Sequence, residues 1–579
     1  MPVFNATIAI LHIGIVLLIK RLSKTDLSKS LLQLRPALRY VLIFTASINL
    51  LYLAPSIYML EVYDRVLTSS NLSTLLFLTL IVLFLFLIMQ MLEYVRTAMV
   101  IKVGEKFDNA LNQKIYTAAF HQNLKSNKIN AGQALADLTT IRQFLTGNGL
   151  FAFYDAPWFP IYLAVIFLFN FWMGIFATVC VLIIVALAWA NSQATHLPLK
   201  EANSYAVQSG AIATNGLRHA ETIQAMGMVS AIRARWLKLH LKFLNSQSDG
   251  SMRSGYISAV SKFFRLAMQS LILGLGAYLA IQHEISAGMM ITGSILLGRA
   301  LAPVDLLISV WRQWGGVVSA YGRLNQLLEE NPENSHPLSL PKPAGTITVE
   351  NVVVQFEGTE QAALKGVDFQ IEAGECVALV GLSGAGKTTL GKLLVGVIKP
   401  NSGNVRIDSA DYSSWNLDEL GKHIGYVPQQ PTLFAGTIAE NIARFGAIDS
   451  EEIVRTAQLV GVHEFILHLP KGYETTVGDG GQGLSGGQIQ RIALTQALYG
   501  DPALIVLDEP DSNLDQSGEL SLIETLRQLK QNKKTVVFIS HNPQFIQHSD
   551  KLLFLENGSI KFFEPSNVAI QRLMARAAV

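Results

Sequence analysis

The sequence contains little cysteine and almost no net charge. Among 579 residues, cysteine occurs only at Cys180 and Cys376, and 45 lysines and arginines stand against 43 aspartates and glutamates. Two isolated cysteines give no basis for a disulfide framework or a cysteine metal site, and we expect both to be buried. The near balance of charge offers no extended basic surface, so no nucleic-acid partner is expected.

Long apolar runs fill the first part of the chain. Half of all residues are hydrophobic, and the mean hydropathy is +0.34. The runs exceed the roughly 10–14 residues that are typical of buried helices in soluble proteins, which predicts membrane spans. Six are predicted, at residues 40–59, 75–91, 157–169, 172–189, 264–281 and 289–311.

Lysine and arginine concentrate on one side of these predicted spans. They precede residues 40–59, follow residues 75–91 and recur through residues 192–260, whereas the opposite loops carry few. The positive-inside rule therefore places residues 95–148 and 192–260, and the C-terminal half, in the cytoplasm. Their helical periodicity predicts spans that continue as helices beyond the bilayer. A tip around residues 215–221 would contact the soluble domain, with an ordinary cytoplasmic loop as the alternative.

Four regions follow from these patterns. Residues 1–39 form an N-terminal segment whose apolar start fits a further span, an interfacial helix or a disordered beginning, and residues 22–40 look amphipathic and suit the inner membrane surface. Residues 40–330 form the transmembrane domain. Residues 331–345, "NPENSHPLSLPKPAG", resemble a linker. Residues 346–579 have the pattern of a soluble α/β domain.

A phosphate-binding loop follows a strand in the soluble domain. The strand "ECVALV" leads into "GLSGAGKTT" at 381–389, the strand, glycine-rich loop and helix of a P-loop. Lys387 would reach the β- and γ-phosphates, and the Thr388 hydroxyl would hold Mg²⁺. The remaining predicted ATP-binding residues of this loop are Gly381, Ser383, Gly384, Ala385, Gly386 and Thr389.

Two further strands end in polar residues that suit hydrolysis. "ALIVLDEP" ends at Asp508, expected to bind Mg²⁺, and Glu509, expected to act as base or to polarise the attacking water. "VVFISH" ends at His541, which would contact the γ-phosphate and couple it to Glu509. The alternatives are two solvent-facing acids and a structural histidine.

A second glycine-rich stretch, "LSGGQIQR", opens a helix. Backbone N–H groups at Ser485, Gly486, Gly487 and Gln488 form a second anion-binding helix terminus. One ATP already has a complete cradle in its own chain. The second terminus therefore predicts a head-to-tail dimer of ATPase domains that encloses two ATP molecules.

The order of these motifs resembles the ABC transporters. "GLSGAGKTT", "GYVPQQPTLFAGTIAENI", "LSGGQIQR", "LIVLDEP", "SNLD" and "ISH" are similar to that family's Walker A, Q-loop, signature, Walker B, D-loop and H-loop. The resemblance implies that Gln429 links Mg²⁺ and the water to the membrane domain, and that Asp515 lies at the dimer seam. "GYETTVGDGG" resembles the exporter X-loop. Phe356 either stacks on adenine or is an ordinary strand residue.

The membrane half resembles one branch of that family, the ATPases of type I protein secretion. "LEVYDRVLTSSNLSTL", "FYDAPWFPIYLAVIFLF", "AETIQAMGM" and "SILLGRALAPVD" carry this resemblance. It implies a six-span helical membrane domain of the ABC exporter type followed by an α/β P-loop ABC ATPase domain. The subgroup implied lacks a peptidase domain and exports proteases and other RTX-type proteins. The residues before Tyr40 contain no Cys/His pair, so leader cleavage is not expected.

The implied function is ATP-driven export of an unfolded protein with an uncleaved C-terminal signal across the bacterial inner membrane. The implied assembly is a multi-pass homodimer in membrane lipid, with ATP, Mg²⁺, a periplasmic adaptor, an outer-membrane channel of the TolC type and the secreted protein. The alternative is an exporter of lipid or small hydrophobic molecules. Three charged residues within the spans either line the polypeptide path, or form fixed ion pairs or lie at the interface: Arg265, Arg299 and Asp305.

Overall fold

The computed structural model describes residues 26–125, 131–332, 339–356 and 358–577. The chain forms two compact units, of which the first contains the helices up to Glu330 and the second contains every strand from Ile347 onward. The predictions for residues 1–25 and for the middle of the linker, 333–338, lie outside the described residues. Both cysteines are free and buried, as predicted.

The first unit contains the predicted apolar spans as helices. Within the described residues, five helical segments are long and apolar enough to cross a membrane, namely Arg35–Ser69, Leu72–Leu124, Asn148–Phe169, Phe171–Arg218 and Val229–Ile281. The sixth predicted span falls in helix Ala287–Glu330, whose apolar part is Ala287–Pro303. The first segment comprises helices Arg35–Leu51, Ala54–Glu61, Val62–Val66 (a π-helix) and Leu67–Ser69; the third comprises Asn148–Asp155, Ala156–Trp158 (3₁₀) and Phe159–Phe169.

Four helices of the described chain are far longer than a membrane requires, among them Ala287–Glu330 with 44 residues. The other three, Leu72–Lys125, Phe171–Arg218 and Val229–Ile281, have 54, 48 and 53 residues. At 1.5 Å per residue these three measure about 70–80 Å, against a hydrocarbon core of about 30 Å. The chain reverses between Arg218 and Val229 through the short helix Ala220–Ala225, at the position predicted for a tip.

The amphipathic helix Asp26–Gln33 packs on these extensions. Leu27 is fully buried in a cluster that includes Phe107, Ile115 and Leu324, and Asp26 pairs with Lys114 at 2.9 Å. Lys114 lies about 27 Å along its helix from Arg96. Protein therefore covers part of the apolar side of Asp26–Gln33, and its place along the inner membrane surface stays a prediction. Helix Ala131–Thr146 contributes to the same cluster.

The three charged residues predicted within the spans have partners on neighbouring elements. Arg265 forms an ion pair with Asp305 at 3.0 Å. The Arg299 guanidinium lies over the ring of Tyr52, 4.4 Å from its centroid. Of the two alternatives, the structure contains the fixed ion pair for Arg265 and Asp305, and a cation–π contact for Arg299.

The second unit contains two principal sheets and a short two-stranded ribbon. Its strands are β1 (Ile347–Val354), β2 (Leu364–Ile371), β3 (Cys376–Gly381), β4 (Ser402–Ile407), β5 (Ala410–Asp411), β6 (Ile424–Val427), β7 (Gly436–Thr437), β8 (Thr476–Val477), β9 (Leu504–Asp508), β10 (Thr535–Ile539), β11 (Lys551–Glu556) and β12 (Ser559–Pro565). The larger sheet has the order β12-β11-β3-β10-β9-β6, the second has the order β2-β1-β4-β5, and β7 pairs with β8.

Helices cover the larger sheet, whose central strands are parallel. Because both faces are covered, strands β3, β9 and β10 are continuous apolar runs with almost every side chain buried. The helices of this unit are Lys387–Leu394, Leu417–Leu420, Ile438–Ile442, Ser450–Val460, His463–Leu467, Gly486–Leu498, Gln516–Gln531, Pro543–Ile546 and Ser566–Ala577; short 3₁₀ turns occur at Tyr412–Ser414, Gly421–His423, Gly472–Glu474 and Asp479–Gly481.

Candidate nucleotide site

The predicted ATPase residues follow the carboxyl ends of four neighbouring strands. Strands β3, β10, β9 and β6 are adjacent and mutually parallel, so their carboxyl ends share one edge of the sheet. The P-loop follows β3, His541 follows β10, Asp508 and Glu509 end β9, and Gln429 follows β6. Ligands of α/β proteins bind at this edge. The fold therefore gathers residues that are up to 160 positions apart in sequence, from Gly381 to His541.

The P-loop depends on glycine because other chain segments approach its backbone. A Cβ at Gly381 would lie 2.2 Å from the Leu555 carbonyl oxygen. Gly386 has a φ of +102°, and a Cβ there would lie 2.6 Å from the Ala363 carbonyl oxygen. Both contacts are with backbone, which cannot swing aside, so the loop accepts no side chain at either position. Helix Lys387–Leu394 begins immediately after Gly386.

Lys387 lies inside the loop that it is predicted to serve. Its Nζ donates hydrogen bonds to the carbonyl oxygens of Gly381, at 2.8 Å, and Leu382, at 3.0 Å. Burial lowers the pKa of the Lys387 ammonium, and the charges of Glu509 and Asp508 oppose that change. A cation held by two neutral carbonyls, close to two acids, can exchange those carbonyls for phosphate oxygens.

Asp508 is a buried carboxylate beside the Thr388 hydroxyl. Its side chain is 1% exposed, and neither carboxylate oxygen has a partner of hydrogen-bonding geometry in the described part of the chain. Burial raises the pKa of Asp508, and the nearby Thr388 hydroxyl opposes the rise. Carboxylate and hydroxyl oxygens are the ligands that Mg²⁺ takes in nucleotide sites, so these residues fit that cation.

Glu509 is fixed from two directions. Its backbone has a φ of +51°, a left-handed conformation that is rare for residues other than glycine. Its backbone N–H donates to the Ile539 carbonyl oxygen at 3.0 Å, and its carboxylate accepts a hydrogen bond from the Gln429 amide at 2.9 Å. The structure therefore brings two predicted catalytic residues into direct contact.

His541 follows strand β10 with an exposed side chain. Within the described ranges its imidazole has no hydrogen bond, so the predicted coupling to Glu509 stays a prediction. Phe356 lies two residues beyond the end of β1 with a side chain that is 43% exposed, in a loop and not in a strand. This exposure leaves the ring accessible to a base.

The signature stretch begins helix Gly486–Leu498 with a reciprocal cap. The Ser485 hydroxyl accepts from the Gln488 N–H at 3.3 Å, and the Gln488 side chain accepts from the Ser485 N–H at 2.8 Å. A Cβ at Gly487 would lie 2.7 Å from the Asn513 carbonyl oxygen, whereas one at Gly486 would lie 3.9 Å from Asn513. The second glycine is therefore required within this chain, by the turn that precedes Asp515.

Asp515 caps the next helix. Its carboxylate accepts from the Gly518 N–H at 2.9 Å and from the Ser517 hydroxyl at 3.1 Å, and these bonds lower its pKa. Its predicted place at a dimer seam concerns a second chain and stays a prediction. The predicted X-loop, residues 472–481, contains the turn Gly472–Glu474 and strand β8.

Sequence reasoning missed two contacts of the site. One is the hydrogen bond between Gln429 and Glu509, for which the sequence predicts separate roles and no contact. The Gly487–Asn513 approach gives a structural reason for a glycine that was attributed to anion binding alone. No local pattern signals either contact, because each joins segments that become neighbours only when strands β6, β9 and the signature helix pack together.

Comparisons with known proteins place both units in one family. Residues 38–302 match the ABC transporter transmembrane region, and residues 364–512 match the ABC transporter family. The chain is 39% identical over 552 residues to the type I secretion system ATP-binding protein PrsD of Rhizobium meliloti (strain 1021), covering 95% of each chain. It is 28% identical to the alpha-hemolysin translocation ATP-binding protein HlyB of Escherichia coli O157:H7, covering 93% of this chain and 78% of that one.

A solved structure supports the fold. A bacterial Atm1-family ABC exporter with ATP bound superposes with a TM-score of 0.80 at 22% identity, covering 94% of this chain and 99% of that one. Together with the apolar helices, the matches identify a multi-pass membrane protein that binds and hydrolyses ATP to drive transport. The chain belongs to the ABC transporter family, among the ATP-binding proteins of type I secretion systems.

Proposed function

We propose that this protein exports a polypeptide across the bacterial inner membrane as the energising component of a type I secretion system. The observation that carries the proposal is the 39% identity to a type I secretion ATP-binding protein, which extends over 95% of both chains and so includes the membrane helices. An ATPase domain alone would not separate protein exporters from other ABC transporters. The shared membrane half supports a shared kind of cargo.

The assembly that follows is a homodimer in the inner membrane, with both ATPase domains in the cytoplasm. The cargo is an unfolded protein with an uncleaved C-terminal signal. A periplasmic adaptor and an outer-membrane channel of the TolC type receive it on the far side. The concentration of positive charge in residues 192–260 supports this orientation.

The first step of the proposed mechanism is the binding of ATP by residues of one chain. The P-loop backbone surrounds the phosphates, Lys387 replaces its two carbonyl contacts by phosphate oxygens, and Phe356 stacks on the base. Thr388, Asp508 and Gln429 would hold Mg²⁺. When bound, Mg²⁺ neutralises part of the phosphate charge.

The second step of the proposed mechanism is hydrolysis. Glu509 accepts a proton from the attacking water, and Gln429 orients the Glu509 carboxylate by the 2.9 Å hydrogen bond. His541 contacts the γ-phosphate. The second chain completes the site with Ser485, Gly486, Gly487 and Gln488 at a helix N-terminus, and with Asp515 at the seam.

A secretion assay tests the proposal. A reporter that carries a candidate C-terminal signal is produced with the chain, an adaptor and an outer-membrane channel, and the medium is assayed for the reporter. Wild-type chain is expected to release the reporter, and Glu509→Gln chain is expected to retain it. A reporter without the C-terminal segment is the matched control. Equal release by wild-type and Glu509→Gln chains would contradict ATP-driven export.

A further inference from the structure

The hydroxyl of Tyr426 is a buried polar group that has no partner in the fold. Tyr426 lies on β6, three residues before Gln429. Its hydroxyl oxygen is shielded from solvent and has no hydrogen-bond partner in the described ranges. By contrast, the hydroxyl of Tyr499 donates to the Ala447 carbonyl oxygen and accepts from the Asp449 N–H. A buried hydroxyl without a partner lowers stability, so its presence requires an explanation.

The Tyr426 side chain and the Asp508 side chain lie on the same face of the sheet. Tyr426 is opposite Val506 in the register of β6 and β9. Tyr426 and Val506 pack in one core with Leu390 of the P-loop helix, whereas Val427 packs in the core on the other face. Because side chains alternate along a strand, Asp508, two residues after Val506, faces the same side as Tyr426.

The Tyr426 hydroxyl and the Asp508 carboxylate have complementary hydrogen-bonding capacity. Asp508 presents two buried acceptor oxygens near the Thr388 hydroxyl but without a partner of strict hydrogen-bonding geometry, and Tyr426 presents a buried donor without an acceptor in the described ranges. Burial, and after it the charge of Asp508, raise the pKa of the Tyr426 hydroxyl to about 12, so the hydroxyl keeps its proton at neutral pH. A buried water molecule requires two to four polar partners, and these groups supply them.

We propose that Tyr426 is a positioning residue for the divalent cation of ATP, because its hydroxyl donates to a water molecule that the Asp508 carboxylate also holds. Strand β6 and the loop after it then serve both neighbouring acids, Gln429 binding Glu509 and Tyr426 orienting Asp508. Hydrogen bonds to a metal-binding carboxylate fix its orientation and affinity. The inference rests on the proposed Mg²⁺ site and is independent of the exported cargo.

The test removes the hydroxyl group of Tyr426 by the substitution Tyr426→Phe. Tyr426→Phe is compared with the wild-type full chain in detergent or nanodiscs, and Mg²⁺ is titrated at a fixed, saturating ATP concentration while thermal unfolding is recorded. We expect the Mg²⁺ concentration for half-maximal stabilisation to rise about tenfold. Binding of ATP without a divalent cation should not change. The unfolding temperature without nucleotide should stay equal or rise, because a hydroxyl without a partner has been removed.

Two control variants separate the outcomes. Tyr499→Phe removes a hydroxyl with protein partners at 3.1 and 3.2 Å, and it should lower the unfolding temperature without changing the Mg²⁺ dependence. Asp508→Asn should abolish the Mg²⁺ effect, and retention of that effect would overturn the cation site itself. An unchanged Mg²⁺ dependence in Tyr426→Phe, or a loss of stability like that of Tyr499→Phe without a Mg²⁺ effect, would overturn the role of Tyr426.

Discussion

At the scale of single residues, the candidate catalytic acid occupies a strained position. Glu509 has left-handed backbone geometry, with a φ of +51°, which costs on the order of 1–3 kcal/mol for a residue other than glycine. The hydrogen bond from its N–H to Ile539 and the hydrogen bond from Gln429 to its carboxylate hold it there. This backbone conformation directs the Glu509 carboxylate away from the buried strand that ends at Asp508.

Replacement of Glu509 should slow ATP hydrolysis while leaving ATP binding intact. Glu509→Gln keeps the shape of the side chain but removes the ability to accept a proton from water. We expect phosphate release to fall by about 10²–10⁴-fold, the usual contribution of a general base. ATP affinity should change little, because the P-loop is intact. Phosphate release and nucleotide binding by the purified full chain would be measured, and release above a tenth of the wild-type rate would argue against Glu509 as the base.

Asp508, the acid that precedes Glu509, should destabilise the folded protein when no nucleotide is bound. Burial raises the pKa of folded Asp508 above its ordinary value of 3.8. Its favourable contribution to stability is therefore complete below that value and is lost as the pH rises through the folded pKa. At neutral pH, Asp508→Asn removes a charge that burial disfavours more than the Thr388 hydroxyl favours it. We expect the free energy of unfolding to increase by about 1–2 kcal/mol.

Thermal unfolding over a range of pH values checks this prediction. Wild-type and Asp508→Asn chains would be compared without nucleotide at pH 7 and then at successively lower pH. The advantage of the variant should be present at pH 7 and should shrink as the pH falls through the raised pKa of the wild-type carboxyl. A variant that is less stable than wild type at pH 7 would mean that the ionised carboxylate has a partner in the folded protein.

At the scale of secondary-structure elements, the signature helix is fixed to the turn after strand β9. Gly487 allows the helix backbone to approach Asn513, since a Cβ would lie 2.7 Å from its carbonyl oxygen. We expect Gly487→Ala to lower the free energy of unfolding by about 1–3 kcal/mol, the usual cost of overpacking. Displacement of the turn would also move Asp515 and lower the hydrolysis rate.

The adjacent glycine provides the matched control for stability. A Cβ at Gly486 would make only an ordinary contact, 3.9 Å from Asn513. Alanine is a better helix former than glycine, so Gly486→Ala should leave stability unchanged or raise it slightly. The two variants would be compared by thermal unfolding. Equal losses of stability would show that the close approach at Gly487 does not determine the packing.

Local motifs were predictable at this scale, whereas contacts between motifs were not. Strand, loop and helix of the P-loop follow from a few adjacent residues, and the Ser485 cap follows from the spacing to Gln488. The Gln429–Glu509 contact depends on the order of β6 and β9 in the sheet, which no short sequence records. The burial of Leu27 depends likewise on other helices that pack against the N-terminal segment.

At the scale of the whole molecule, the apolar spans were predicted but their electrostatic partners were not. Hydropathy alone locates the spans, because about 20 apolar residues are required to cross a bilayer. It did not locate the buried cluster in which Arg96 pairs with Glu93 at 2.6 Å and with Asp155 at 3.2 Å. Asp155 lies in "FYDAPW", a stretch that resembles type I secretion ATPases but does not by itself indicate an ion pair. Its pairing partner on another helix became evident only from the packing.

The proposed homodimer makes a prediction about mixtures of two inactive chains. Each complete site requires the P-loop of one chain and the signature helix of the other. Lys387→Ala chains lack the first part and Ser485→Glu chains lack the second, so either variant alone should be inactive. A mixed dimer has one site in which the Ser485→Glu chain supplies an intact P-loop and the Lys387→Ala chain supplies an intact signature helix.

Co-expression of the two variants should therefore restore hydrolysis. Random pairing of equal amounts makes half of the dimers mixed, each with one of two sites intact, so we expect about a quarter of wild-type phosphate release if the sites act independently. Differently tagged chains and two-step purification would raise this to about half in isolated mixed dimers. If each chain instead completed its own site, both variants would carry a defect in every site and the mixture would stay inactive. Restored activity consequently requires that ATP is enclosed between two chains.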